Sequence, residues 1–467
     1  MNPFFCSRKD NFAPTNLPLR SSNNRTLYFY GVISIILLLS ACYSGPKAID
    51  KIATNDSAQI QLPASGLVDI AERERLRVAC EAWYDSVLKR RGFNGGIVVA
   101  KKGSIVFEAY NSGSNATGDD LVTDSSSFHI ASVSKTFTAM AVLKLWQDGK
   151  LGIDDEFSKY FPTFDFPGVT VRTLLNHRSG LPNYVHFMEN MGWNKKINIT
   201  NTDVFDFLIT RKAEMKDIAP PNTRFTYCNT NYALLALLIE KTSGKNYGDY
   251  LQETFFSPLQ MKHTFVYNNK TDSGKVLLSH DGRGRIIPLN FLDFVYGDKN
   301  VYSTPRDLLT WDKALTSGKL FTQKTLAEAY TPYSNEKPGV RNYGLGWRMN
   351  NFPTGKKMIY HNGWWHGNNA AFIRLLQDSA TIVVLGNKEN HGIYHAKDLA
   401  SLFGNYFGDG EDDENETTRS TVQKIKTPRA ARKQTLAAKN KKPSKKITAS
   451  KAVSQQNNIS ATKTRRS

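Results

Sequence analysis

Apolar positions along the 467-residue chain recur with two periods, and each period predicts a different element. Between 67 and 92, Leu67, Ile70, Ala71, Leu76, Ala79, Cys80, Trp83, Val87 and Leu88 fall near helical spacing and predict an amphipathic helix. "GGIVVAKKGSIVFEAY", from Gly95, is different: two β-branched runs flank Lys102-Gly103, which is a hairpin signal. The stretch "FHIASVSKTFTAMAVLKLWQDGKLGIDD" (Phe128 to Asp155) predicts a long apolar helix ending near Gly149. Residues 150–330 are helical and loop-rich, punctuated by Pro and Gly. "NAAFIRLLQDSATIVVLGN" then repeats the hairpin pattern, with its turn near Asp378-Ser379, and a last helix runs from about Tyr394 to Tyr406. Strands at both ends with helices between predict an α/β fold of the α+β type. Its antiparallel sheet is formed by the N- and C-terminal strands, flanked by helices, with a helical domain inserted. No internal repeat is present.

Charge refines the division. The formal net charge is +19, but residues 417–467 hold fifteen Lys or Arg and no Asp or Glu. Residues 1–42 add four basic and one acidic side chain, so the body between them is near neutral. It offers no basic nucleic-acid face. The basic tail has almost no aliphatic or aromatic side chains and cannot bury enough surface to offset its ordering entropy. It is expected to be disordered and to suit an anionic envelope polymer or lipid headgroups.

The N-terminus reads as a targeting segment. Arg20 and Arg25 precede "LYFYGVISIILLLSAC", an apolar run shorter than the ~20 residues a membrane-spanning helix needs. Leu39-Ser40-Ala41-Cys42 looks like the lipobox of bacterial lipoproteins, which are cleaved before a cysteine that then carries lipid. The resemblance implies a lipid anchor at Cys42, a bacterial cell-envelope location, and the following division. Residues 1–41 are then a signal peptide, 42–66 a tether, 67–408 the folded body and 409–467 the tail. Cys80 and Cys228 then remain as buried free thiols.

The candidate chemistry lies at Ser132-Val133-Ser134-Lys135. Three residues apart on a helix, Ser132 and Lys135 share one face. The helix N-terminus favours an oxyanion, and burial there disfavours a protonated lysine, which makes it a proton acceptor. Ser-x-x-Lys occurs five times, at Ser44, Ser86, Ser132, Ser334 and Ser460, and only Ser132 follows a hairpin and opens a long apolar helix. His391-x-x-x-His395 has metal-like spacing without an accompanying Glu signature, so no metal is expected. No Gly-x-Ser-x-Gly elbow is present, against an α/β-hydrolase.

Five ordered segments resemble one family: that around Ser132, "VTVRTLLNHRSGLPNY", "PNTRFTYCNTNYALLALLIEKTSGKNYGDYLQETFFSPLQM", "VYSTPRDLLTWDKAL" and "YHNGWWHGNNAAF". Over roughly residues 80–407 they are similar to the class C β-lactamase-like serine hydrolases, which include D-alanyl-D-alanine carboxypeptidases, D-aminopeptidases and some esterases. The resemblance implies a β-lactamase/transpeptidase-like fold with Ser132 as nucleophile and Lys135 as its proton partner. Tyr227 and Asn229 match the family's Tyr-x-Asn loop, the tyrosine relaying protons and the asparagine positioning the substrate amide. His361-Asn362-Gly363 stands where many relatives have Lys-Thr-Gly. It contributes to substrate binding, with Gly363 admitting the substrate backbone. The N–H groups of Ser132 and Trp364 would form the oxyanion hole. Histidine is mostly neutral at pH 7 and attracts a carboxylate less than lysine does, which lowers the expectation of efficient β-lactam hydrolysis.

The implied activity is cofactor-free hydrolysis of amide or ester bonds through an acyl-enzyme. The substrate is a small molecule or peptide, preferably a D-amino-acid peptide or a small ester. A class C-like β-lactamase is the alternative within this chemistry, and a catalytically silent envelope peptide-binding protein is the alternative outside it.

Overall fold

The computed structural model describes residues 59–113, 121–274 and 276–407. The N-terminal stretch read as a signal peptide, Cys42 and the basic tail lie outside the described residues. Ten α-helices and ten strands follow in chain order. They are α1 (Ile70–Trp83), β1 (Gly95–Lys101), β2 (Ser104–Asn111), β3 (Phe128–His129), α2 (Ser134–Gln147), α3 (Val171–Leu175), α4 (Tyr184–Asn190), α5 (Asn201–Thr210), α6 (Asn229–Ser243) and α7 (Tyr247–Leu251). The second half holds β4 (Phe265–Val266), α8 (Asn269–Asp272), β5 (Val301–Ser303), α9 (Pro305–Thr316), α10 (Gln323–Ala329), β6 (Arg341–Tyr343), β7 (Arg348–Asn351), β8 (Lys357–Trp365), β9 (Asn368–Leu375) and β10 (Ala380–Gly386).

The main sheet has seven antiparallel strands in the order β2-β1-β10-β9-β8-β7-β6, so the first strand pairs with the last inside it. Register pairs Gly95 with Gly386 and Lys101 with Ala380. Both faces are covered. Ile382 and Val384 of β10 pack in the layer with Leu76, Trp83, Ile393 and Leu399, while Val383 and Leu385 pack with α2, α6 and α9. Burial on both faces explains why β1 and β10 read as continuous apolar runs rather than alternating ones. Among the described residues no helix is long and apolar enough to cross a membrane.

Local chemistry accounts for the boundaries. Asp69 caps α1, accepting from the N–H groups of Ala71 and Glu72. The helix continues as a π turn (Tyr84–Leu88) and a 3₁₀ turn (Lys89–Arg91), stopping at Gly92 with φ 68°. Lys102 and Gly103 both have positive φ, as a tight two-residue hairpin loop requires. The Lys102 N–H donates to Ser379 O, which joins the two hairpin tips.

Three features differ from the sequence expectation. The last helix is a 3₁₀ helix at His391–Leu402 rather than at Tyr394–Tyr406. Ile393, Ala396, Leu399 and Leu402 recur every third residue, so three residues per turn aligns them on the core. Strands β6 and β7 and the small sheet β3-β5-β4 fall in stretches too short to show a period. Part of the expected tether packs on the body: Ile60 and Leu62 lie against the core, and the Gly66 N–H donates to Lys102 O.

Candidate active site

The site forms where the start of α2 meets β8. Ala131–Val133 is a 3₁₀ turn, so Ser132 stands just ahead of α2 rather than within it. Ala131 has φ 48°, a left-handed conformation that costs a non-glycine residue on the order of 1 kcal/mol and tends to persist at functional sites. Three bonds hold the turn: Ala131 N–H to His129 Nδ1 (3.1 Å), Ile130 N–H to Val301 O (3.0 Å) and Val133 N–H to Ile130 O (3.1 Å). Burial pushes His129 down to about 4, which keeps Nδ1 free to accept.

Lys135 is fully buried on the first turn of α2. Its Nζ donates to Ser132 Oγ (3.1 Å) and to Asp298 O (2.8 Å), and no carboxylate is ion-paired with it among the described residues. Two serines compete for the nucleophile's place, and their partners separate them. Ser134 is buried, and its Oγ accepts the Val301 N–H (3.1 Å), tying α2 to β5. Ser132 is half-exposed, with the lysine as its side-chain partner. Ser86, another Ser-x-x-Lys serine, spends its hydroxyl on the carbonyls of Ala82 and Trp83.

Tyr227 sits on the loop before α6, its ring centroid 5.0 Å from Lys135 Nζ. Its hydroxyl is buried without a partner among the described residues, and so is Asn229 Oδ1. Asn229 opens α6, and its N–H donates to Asn183 Oδ1 (3.3 Å). Cys228 between them is buried and free; its Sγ lies 3.4 Å from Leu181 O and Pro182 O, a packing position.

His361, Asn362, Gly363 and Trp364 lie on β8, which pairs with β7 and β9. A Cβ on Gly363 would collide with Ile130 O and crowd Ala131 Cβ. The missing side chain therefore seats β8 on the turn that carries Ser132, a different role from the substrate access read from sequence. His361 is wholly buried. Its Nδ1–H donates to Asn362 O (2.7 Å), so Nε2 accepts from the Tyr343 hydroxyl (3.2 Å). Burial, then the charges of Arg348 and Lys135, hold His361 well below the ordinary histidine range. It is neutral and fully engaged, and offers a substrate no charge. Asn362 is half-exposed. Trp364 faces Asn369 on β9 and is 63% exposed, the largest aromatic surface at this edge of the site.

Sequence reasoning missed Arg348. On β7 it pairs with Tyr360, beside His361. Its guanidinium is half-buried, 5.0 Å from the Tyr227 ring and 6.0 Å from the Tyr343 ring. No ion-paired carboxylate accompanies it among the described residues. A cation against the Tyr227 ring, itself beside Lys135, suits a substrate that brings its own carboxylate. Only the β7–β8 register reveals this, since "GLGWRMN" carries no motif.

A family profile described as Beta-lactamase matches residues 80–402. Penicillin-binding protein 4* of Bacillus subtilis is 29% identical over 354 residues, covering 72% of this chain and 77% of the relative. The penicillin-binding protein of Bacillus halodurans superposes with a TM-score of 0.59 at 23% identity, covering 68% of this chain and 98% of that one. The D-amino acid amidase of Ochrobactrum anthropi gives 0.57 at 22%, covering 75% and 100%. Both structural likenesses show the fold: helices around an antiparallel sheet, as the sequence segments implied.

Proposed function

The chain belongs to the beta-lactamase family of hydrolases, and from the geometry of its site we propose a serine hydrolase that works through an acyl-enzyme. One observation carries the reading: a buried lysine, unpaired with any carboxylate among the described residues, donates to the half-exposed Ser132 hydroxyl at 3.1 Å. In this reading Ser132 Oγ attacks a carbonyl carbon as Lys135 takes its proton. The N–H groups of Ser132 and Trp364 hold the oxyanion. Tyr227 delivers a proton to the leaving nitrogen or oxygen, that bond to the acyl carbon breaks, and an ester on Ser132 remains. Water adds to the ester as its proton passes to Tyr227, Lys135 returns a proton to Ser132 Oγ, the Oγ–acyl bond breaks, and the acid is released.

D-Amino-acid peptides are the preferred substrate class. Support comes from the unpaired Arg348, placed to receive a C-terminal carboxylate that neutral His361 would not attract, and from Asn229 Oδ1, free to accept a substrate amide N–H. We also propose that the protein is lipid-anchored through Cys42 in the bacterial envelope, with the basic tail held by anionic envelope polymers.

Intact-protein mass after treatment with a fluorophosphonate or labelled penicillin tests the chemistry. An adduct is expected on the wild type and none on Ser132→Ala; no adduct with either probe sinks the acyl-enzyme and leaves peptide binding without turnover. The untreated spectrum should show a mature mass starting at an acylated Cys42. On a peptide panel ending in D-Ala-D-Ala as free acid or amide, Arg348→Met should cut kcat/KM for the acid about ten- to a hundredfold and spare the amide. Equal losses on both would remove the carboxylate role.

A further inference from the structure

Tyr227 poses a mechanical problem. Its hydroxyl is buried without a hydrogen-bond partner among the described residues, so nothing at the tip of the side chain fixes where it points. A proton relay misplaced by even 1 Å loses much of its effect. The position must come from the ring and the backbone, and both lead to His177.

His177 follows α3, buried completely, with φ 58°. Its backbone oxygen accepts the Thr226 N–H (2.9 Å), and its Nδ1 accepts the Cys228 N–H (3.1 Å). These are the residues immediately before and after Tyr227. The imidazole also packs on the Tyr227 ring at 4.3 Å between centroids, the shortest ring contact of that tyrosine. One residue thus holds Tyr227 by the N–H of the residue before it, the N–H of the residue after it, and its ring. The left-handed backbone is what allows this, because it turns the carbonyl and the side chain of one residue toward the same loop. Such a conformation is uncommon outside glycine, though Asn, Asp and His adopt it more readily than most residues.

We propose that His177 is the positioning residue of the Tyr227 proton relay, acting through the backbone on both sides of the tyrosine and through its ring. The inference rests on the reading of Tyr227 as the relay. The imidazole must keep Nδ1 unprotonated to accept from Cys228. Its surroundings enforce that: Tyr343 on β6, Tyr232 on α6, Phe225 and Tyr227 pack around it. Burial first, then the neighbouring Lys135 on α2 and Arg348 on β7, holds it well below the ordinary histidine range. Its Nε2, which carries the proton in that tautomer, is buried without a hydrogen-bond partner among the described residues. An unpartnered nitrogen inside an aromatic cage fits a group retained for Nδ1 and the ring face rather than for a complete hydrogen-bond set.

The test is a double-mutant cycle on the full-length protein, reading kcat and KM on the best substrate of the peptide panel. Asn tolerates positive φ and places Oδ1 where Nδ1 stands; Leu has no acceptor. His177→Leu should lower kcat about ten- to a hundredfold with KM within about twofold, and His177→Asn should recover most of it. In a Tyr227→Phe background, His177→Leu should cost almost nothing more, since the group it positions is gone. Additive losses in the cycle, or Asn no better than Leu while both melt like the wild type, would overturn the proposal. If His177→Leu fails to fold, His177→Asn and His177→Gln decide. Equal impairment of these two with no coupling to Tyr227→Phe also overturns it. Full kcat in Tyr227→Phe itself would instead sink the relay reading on which it stands.

Discussion

From His129 to Thr138, every polar side chain around Ser132 has a hydrogen-bond partner, whereas the tips of Tyr227 and Asn229 have none among the described residues. The two regions lie side by side, bridged by Lys135 Nζ near the Tyr227 ring. The first is finished when the chain folds: Ser134, Thr136 and Thr138 secure α2, and the lysine is aimed by a backbone carbonyl. The second leaves a buried hydroxyl and a buried amide oxygen unsatisfied, which disfavours the free protein and favours whatever supplies their partners. Binding energy held back in this way is realised on the substrate and its transition state. The contrast also separates two meanings of a buried polar group, one holding the fold and one awaiting a ligand.

Substitutions on the two sides should therefore separate activity from stability. Tyr227→Phe should lower kcat about a hundred- to ten-thousandfold. It removes an unpartnered hydroxyl, so the urea midpoint should stay level or rise; a clear fall would mean that the hydroxyl is structurally satisfied and the contrast false. Acid should attack the other side. His129 sits at about 4 when folded against ~6.5 unfolded, so between those values the unfolded chain binds more protons. Stability present above pH 6.5 is then lost as pH falls towards 4, by about 3 kcal/mol from this residue. Urea titrations at pH 7, 5.5 and 4.5 should show a slope that His129→Gln reduces by about one proton; an unchanged slope would refute this. Smallest is Ser134→Ala, which strands the Val301 N–H and should cost about 1–2 kcal/mol while Ser132 still takes a fluorophosphonate. Loss of labelling without loss of stability would move the chemistry from Ser132 to Ser134.

What could be read from sequence follows how far apart the cooperating residues lie. The two hairpins were legible because each is local, and Lys102-Gly103 marks its own turn. Ser132 and Lys135 were legible because one helical turn puts them together. Tyr227 and His361 came from the order of resembling segments rather than from any local pattern. Arg348 and His177 were silent. The first needs the β7–β8 register to reach Tyr227, and the second acts through a backbone conformation that no spacing encodes. Gly363 was legible as a required glycine but not for its reason, since the atom it makes room for is Ile130 O, far away in sequence.

The pairing of β1 with β10 carries a consequence for how the chain matures. Gly95 and Gly386 are partners across nearly the whole body, so the central seam of the sheet is a contact of very high order. Such seams close late, because the loop entropy must be overcome before the pairing returns anything. A growing or translocating chain can complete α2 and α6 and still lack β8, and with it the strand that Gly363 seats against the turn at Ala131. Ser132 and Lys135 are thus placed early and β8 arrives near the end, so a chain cut short before β8 holds the serine and the lysine without the strand that packs on their turn.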